Sequence, residues 1–483
     1  MKKVLLGAGR FARKHWGVCI FIVVLLTFLY LLIGAVAPFI IYKKISDPNL
    51  GGWSAKAMLE AETSGDRAMI LETNTSAWEE RIRMMNMAKD RIILSSFDIR
   101  DGESTKDLMS VLLHKADEGV KVQILVDGIS AFLRMEGRPL FYAVSSHPNI
   151  ELRVYNPLKV WMPWKTQGRM HDKYVIVDEM AYILGGRNTF DYFIGDYETD
   201  GKSFDREMLI YKTGAQSSLH EVEDYFHSVW NLDVCQTFHD DESLRDKQDV
   251  REMLALLENR YENLKTNYGY LFESFDYAAV TKPTKGVHLI SGQTGIYGKE
   301  PLVFEKLSRL MLEADTQVII HTPYAVCNDY MYDTLKKISS TVPEVRMLIN
   351  SVGNGDNVVA SSDYLKNKKH LINTGVEMYE YEGGTSYHGK SIVIDDDVAI
   401  VGSYNLDLRS TYMDTELMLL VKSEDIANEL TGYMDAMEYD SRRVISATEY
   451  DTPAHVTPQE APALKKIIFK ILGVVLTPFR CLI

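Results

Sequence analysis

Two short stretches of the sequence carry the same chemically useful side chains at the same spacing. The first sets His171, Lys173 and Asp178 around Val175-Ile176-Val177; the second sets His388, Lys390 and Asp395 around Ile392-Val393-Ile394. The β-branched runs predict short strands. Side chains two apart on an extended segment share a face, so the histidine and lysine of each copy would point at one substrate group. A glycine turn and an asparagine follow at equal distance in both copies: Gly185-Gly186-Arg187-Asn188 and Gly402-Ser403-Tyr404-Asn405. They come after segments 181–184 and 398–401, which are expected to be the neighbouring strands.

These residue types suit attack on a phosphodiester. A neutral imidazole can act as nucleophile on phosphorus and form a covalent intermediate. A second histidine can protonate the leaving alkoxide and later deprotonate the incoming hydroxyl. Lysines and asparagines supply charge and donors to the transition-state oxygens. The expected catalytic set is therefore His171, Lys173, Asp178, His388, Lys390 and Asp395. Asn188, Ser403 and Asn405 are expected to bind the substrate phosphate. Asp205 or Glu207 in one half, and Glu416 in the other, are candidates to orient the histidines. No carboxylate cluster calls for a metal, and no cofactor is expected. One such motif arises by chance in a chain this long at a rate of roughly a few per cent. Two copies with matching turns argue against isolated core histidines.

The elements that must position these groups also occur twice. A β-rich run at 91–97, a helical stretch at 106–119 and a strand at 121–127 correspond to 317–321, 330–339 and 345–349. Strands at 150–155 and 376–381 each precede a motif. Strands alternating with helices predict an α/β protein of two similar halves, at 65–240 and 286–445. A charged, leucine-spaced connector is expected at 241–285, and a juxtamembrane stalk at 45–64.

Residues 17–42 lack charge and exceed the roughly 20 apolar residues that cross a bilayer. A cleaved signal peptide is the alternative, suggested by Ala35-Val36-Ala37. The apolar run continues past Pro38, however, beyond the usual signal length, and residues 1–44 are read as a basic tail and a single-pass transmembrane helix. Lys2, Lys3, Arg10, Arg13 and Lys14 before the span, against Lys43 and Lys44 after it, place the N-terminus in the cytoplasm and the catalytic region outside the cell membrane. Within 446–483, Leu464, Ile467, Ile468, Ile471, Leu472, Val475 and Phe479 recur at helical spacing. That segment is either a basic amphipathic helix in the membrane interface or a helix packed on the body. Trp161 and Trp164 either dip into the interface or cap the core.

The formal net charge of −14 weighs against a nucleic-acid partner, which favours basic chains. The four cysteines form no C-x-x-C pair, and all four are expected to be reduced.

The stretch HGKSIVIDDDVAIVGSYNLDLRSTYMDTE at 388–416 resembles the second motif of the phospholipase D superfamily, and within it the bacterial cardiolipin synthases. GGRNTFDYF at 185–193 resembles a subgroup of those synthases. The similarity runs over roughly residues 65–445 and departs from many synthases at Thr411 and Asp414. It implies two α/β halves with one active site at their interface, and phosphatidyl transfer from phosphatidylglycerol to a second phospholipid in the bilayer. By this resemblance His171 is the nucleophile and His388 the general acid and base. Hydrolytic phospholipase D, a nuclease and a non-catalytic relative are the alternatives.

Overall fold

The computed structural model describes residues 16–61, 65–459 and 461–483. The basic residues Lys2, Lys3, Arg10, Arg13 and Lys14, on which the expected orientation rests, lie outside these ranges.

Each half is built on a nine-stranded sheet. In the first, the spatial order is Lys282–Pro283, Asp66–Leu71, Glu207–Lys212, Ala181–Gly185, Tyr174–Val177, Arg91–Ser96, Lys121–Asp127, Ile150–Tyr155 and Cys235–Thr237. In the second it is Gly286–Ser291, Leu417–Lys422, Val398–Gly402, Ser391–Ile394, Gln317–His321, Glu344–Asn350, Glu377–Tyr381, Ser441–Val444 and Tyr450–Asp451. Eight strands correspond one to one in the same order. Three strands of each sheet run parallel, joined by crossovers through Glu103–Asp117 and Pro139–Ser145, or through Asp329–Thr341 and Val358–Ile372. Parallel neighbours require such crossovers. The two-halved α/β architecture expected from the repeat is present.

Alternation along the strand that follows each histidine explains how the layers assemble. Val175 and Val177 enter the core beneath the outer helices of the first half, and Ile392 and Ile394 do the same in the second. Ile176 and Val393 turn the other way, into a third core that both sheets share. That core also takes Leu219, Val222 and Phe226 from helix Leu219–Trp230, and Ile426, Leu430 and Met434 from helix Glu424–Tyr439. Strands buried on both faces read as continuous apolar runs, which is how both motifs look in sequence.

Asp178 and Asp395 were expected to be catalytic; the structure places them at the far end of the strand from the histidine. Both adopt left-handed backbone conformations, φ 49° and 52°. The Asp178 carboxylate accepts the backbone N–H groups of Lys89, Asp90 and Arg91. Asp395 accepts those of Asp315, Thr316 and Gln317. Each aspartate therefore ties the end of the motif strand to the start of its central neighbour.

The connector is not an independent bridge. Helix Gln248–Asn267 buries Val250, Leu257, Tyr261 and Leu264 in the first half's outer core, and Lys282–Pro283 pairs with the edge strand Asp66–Leu71. The segment expected to be a stalk is strapped to the second half: Ser46 and Asn49 donate to Glu300, and Ala55 is buried in that half's core. Helix Ala463–Val475 packs one face, through Phe469 and Gly473, on the body, where a Cβ at Gly473 would meet the Ser362 carbonyl at 2.6 Å. Leu464, Ile467, Ile468 and Ile471 on its other face stay exposed.

Among the described residues one helix, Trp16–Phe39, is long and apolar enough to cross a membrane, with mean hydropathy 2.9. Its end is docked. Tyr30 donates to the Trp161 carbonyl at 2.7 Å and meets Trp164 edge-on, and Gly34 lies against Pro163.

Replacing Asp395 with Ala strands three N–H groups, at a cost of about 1–3 kcal/mol. The denaturation midpoint should fall accordingly, and less for Asp395→Asn. The fraction that remains folded should keep its turnover.

Candidate active site

The two halves interlock where their motifs begin. Ser386-Tyr387, just before His388, pairs in parallel with Ser203-Phe204 of the first half, and the His388 N–H donates to the Phe204 carbonyl. Reciprocally, Met170 bridges to Thr415 of the second half, and the His171 N–H donates to Thr415. Each crossing carries an acid. His388 Nδ1 lies 2.7 Å from Asp205, and His171 Nδ1 lies 2.9 Å from Glu416. Of the three orienting candidates, Asp205 and Glu416 therefore hold the histidines of the opposite halves. Glu207 does not. Its carboxylate is buried against Arg81 at 2.6 Å and Arg187 at 3.4 Å, balancing two guanidiniums beneath the sheet.

Imidazoles with Nδ1 held by a carboxylate leave Nε2 for chemistry. Burial first, then the charges of Lys173 and Lys390, hold the His171 pKa well below its usual range. Burial and Lys390 lower His388 as well, opposed by Asp205. Burial would raise Asp205, but Lys390 and His388 outweigh it and keep this carboxylate ionised. Glu416 differs: burial pushes it up to about 8. Its oxygens nevertheless meet three groups able to donate, His171 Nδ1 and the Ser403 and Ser410 hydroxyls, which is the pattern an ionised carboxylate needs.

Lys173 and Lys390 are buried beside their histidines. Burial brings Lys173 down to about 7 and lowers Lys390. Lys390 Nζ touches the His388 ring, and Lys173 donates to the His171 carbonyl. A bound phosphate would add counter-charge to both lysines, of which Lys390 already lies 3.9 Å from Asp205. Asn188 is buried and accepts the Asp98 N–H at 3.3 Å. The buried Asn405 Oδ1 has no partner among the described residues.

Ser403 was expected on the substrate phosphate. Its hydroxyl instead donates to Glu416 and accepts the Leu417 N–H at 3.0 Å, so it positions the acid. The contrast with Gly186 follows: a Cβ there would sit 2.4 Å from Asp205 Oδ1. The shorter acid pairs with glycine and the longer one with serine.

Several groups in the site were not singled out from the sequence. Phe97 and Phe193 pack on His171 and His388, each at 5.1 Å between ring centres. Ser410 supports Glu416 from outside the repeat's matching part. His388, Asn188, Phe97, Phe190, Phe193 and Tyr324 line a cleft of about 770 Å³. Asp98, Asp101, Asp191, Asp200 and Asp356 also line it, with Arg100.

Gly186→Ala should drive Asp205 off His388 and cut turnover at least about tenfold, on the scale of a misplaced catalytic group. Circular dichroism and the melting temperature should stay near those of the parent.

The sequence was compared with known proteins. The family described as "Cardiolipin synthase, PLD-like domain" matches residues 82–230 and 307–438. Cardiolipin synthase C of Escherichia coli (strain K12) is 24% identical over 416 residues, 77% of this chain and 84% of that one. The major cardiolipin synthase of Bacillus subtilis (strain 168) is 24% identical over 373 residues, 77% of this chain and 68% of that one. An uncharacterized Helicobacter pylori protein (strain ATCC 700392 / 26695) is 25% identical over 412 residues, 77% of this chain and 79% of that one. Among solved structures, phosphatidylserine synthase of Haemophilus influenzae Rd KW20 shares the fold, with TM-score 0.62, 14% identity, and coverage of 86% of this chain and 95% of that one. Both family segments bracket one motif each and together span more than half of the sequence; the chain belongs to the phospholipase D-like family of cardiolipin synthase domains.

Proposed function

We propose that this protein is a membrane-anchored phosphatidyltransferase, making cardiolipin from phosphatidylglycerol or a related phospholipid. The observation that carries this reading is the crossed pair of histidine–carboxylate contacts, which turns two motifs into one phosphoryl-transfer site. His171 Nε2 attacks phosphorus, the bond from phosphorus to the glycerol oxygen breaks, and His388 gives that oxygen its proton. The hydroxyl of a second phospholipid then loses its proton to His388, attacks phosphorus and releases His171. Burial and the charges of Lys173 and Lys390, which disfavour protonation of His171, and the ionised Asp205 that favours it at His388, support these roles.

The aspartates of the cleft weigh against a nuclease, since a polyanionic backbone would meet repulsion there. The relatives named as cardiolipin synthases, and a spanning helix packed on the Trp161–Trp164 loop, favour lipid substrates. The basic residues flanking the span favour a body outside the cytoplasm; protease added to spheroplasts should then digest the region after Tyr42.

Purified protein with labelled phosphatidylglycerol should yield cardiolipin and glycerol, read by mass. Phosphatidic acid as sole product would establish hydrolysis instead. His171→Ala and His388→Ala should each lose at least about 100-fold in turnover. A trapped phosphatidyl adduct should map to the peptide containing His171; an adduct on His388 with His171 unmodified would reverse the roles.

A protonated Glu416 would donate to Nδ1 and leave the proton on the attacking Nε2. Because burial raises Glu416 to about 8, adduct formation should climb as pH rises through that value. Glu416→Gln should be slow and lack this climb.

A further inference from the structure

Three residues beyond the end of the spanning helix, the chain borders a cavity of about 570 Å³ that the reaction cleft does not use. Tyr42, Lys43 and Lys44 form one side; Arg309, Tyr330 and Tyr412 face them. The helix has 24 residues, about 36 Å at 1.5 Å per residue, against a hydrocarbon thickness of roughly 30 Å. A helix of that length reaches past the hydrocarbon, and the cavity opens just beyond its end.

Its charges are poorly matched within the protein. Arg309 is paired with Glu305 at 2.8 Å, and Glu305 also accepts the Tyr330 hydroxyl. Lys44 has no ion-pair partner among the described residues, and Lys43 has only the longer-range field of Glu300. Asp329 at the rim offsets one of these charges and leaves a net positive wall. Aromatic rings with a polar tip are favoured at the bilayer surface, and three tyrosines stand here around two unpaired ammonium groups. A phosphate with its acyl chains running down the spanning helix satisfies both features.

We propose that this cavity binds the headgroup phosphate of an anionic phospholipid of the surrounding bilayer, at a site separate from the reaction cleft. Lys43 and Lys44 hold the phosphate, and Tyr42, Tyr330 and Tyr412 enclose the glycerol region. The site touches the catalytic machinery at one point. Tyr42 packs on Tyr412 at 4.6 Å, and Tyr412 ends the helix Leu408–Tyr412 whose Ser410 supports Glu416.

The test uses the full chain in phosphatidylcholine nanodiscs containing phosphatidylserine with a photoreactive group close to the headgroup. Crosslinked peptides should contain residues 42–45 and 328–330. Labelling there should fall about tenfold in the Lys43→Gln/Lys44→Gln variant, fall in Lys44→Glu, and hold in Lys265→Gln on the connector helix. Equal labelling by photoreactive phosphatidylcholine, or labelling that survives removal of both lysines, would overturn the proposal. So would crosslinks spread along the spanning helix with no enrichment at the cavity. The readout is binding, so it stands or falls independently of the reaction that His171 and His388 perform.

Discussion

Each motif imidazole takes its carboxylate from the opposite half of the molecule, and the architecture is arranged around that exchange. A buried histidine needs a partner for Nδ1, because an unpaired polar group away from water costs free energy. Neither half supplies it alone. Asp205 and Glu416 lie just before the strands Glu207–Lys212 and Leu417–Lys422, and from there each reaches the other half's histidine. The short parallel pairing of Ser203-Phe204 with Ser386-Tyr387 and the Met170–Thr415 bridge fix the register of the crossing. The shared core of Ile176, Val393 and their neighbours supplies the apolar burial that holds the sheets together.

The same constraint explains where charge is tolerated inside. Lys173, Lys390, Arg187, Arg206 and Glu207 are nearly inaccessible to solvent. The guanidiniums are matched by fixed acceptors: Arg206 by Glu72, and Arg187 by Glu207 and the Leu71 and Glu72 carbonyls. The two lysines are held beside histidines instead, with depressed affinity for protons. Arg187 and Arg206 are held by several fixed acceptors, and the lysines of the site are left with capacity for an anion.

Much of this was legible in the sequence, because the repeat is written in residues whose spacing is dictated by strand geometry. The β-branched runs at 175–177 and 392–394 fixed the motif strands, and the paired patterns around them predicted two α/β halves. The acids could be named but not assigned. Asp205 and Glu207 are two apart at the entry to a strand, a spacing that would put both on one face, so spacing alone does not say which one crosses to the other half. Asp178 and Asp395 look catalytic by their constancy in the motif, yet their work is to gather backbone N–H groups at a tight turn. That role depends on a neighbouring segment about 80 residues away in sequence. Ser403 misled for a related reason: its acceptor, Glu416, lies at the entry to the next strand. The strap at 45–61 was likewise hidden, because its anchors are distant in sequence: the Glu300 carboxylate and the second half's core around Ala55.

The unequal acids have a consequence for how such a molecule could arise. Two separate copies of one half could assemble crosswise and complete two identical histidine–acid contacts, since every crossing strand has its counterpart. They could not pair Asp205 with Gly186 at one crossing and Glu416 with Ser403 at the other, because symmetry would force both crossings to be the same. Joining the halves in one chain releases each from the other's sequence. One imidazole can then sit beside a permanently charged acid and the other beside an acid whose charge depends on its surroundings. A pseudo-symmetric duplicate thereby gains two distinct proton affinities, which a symmetric homodimer of the same parts cannot have.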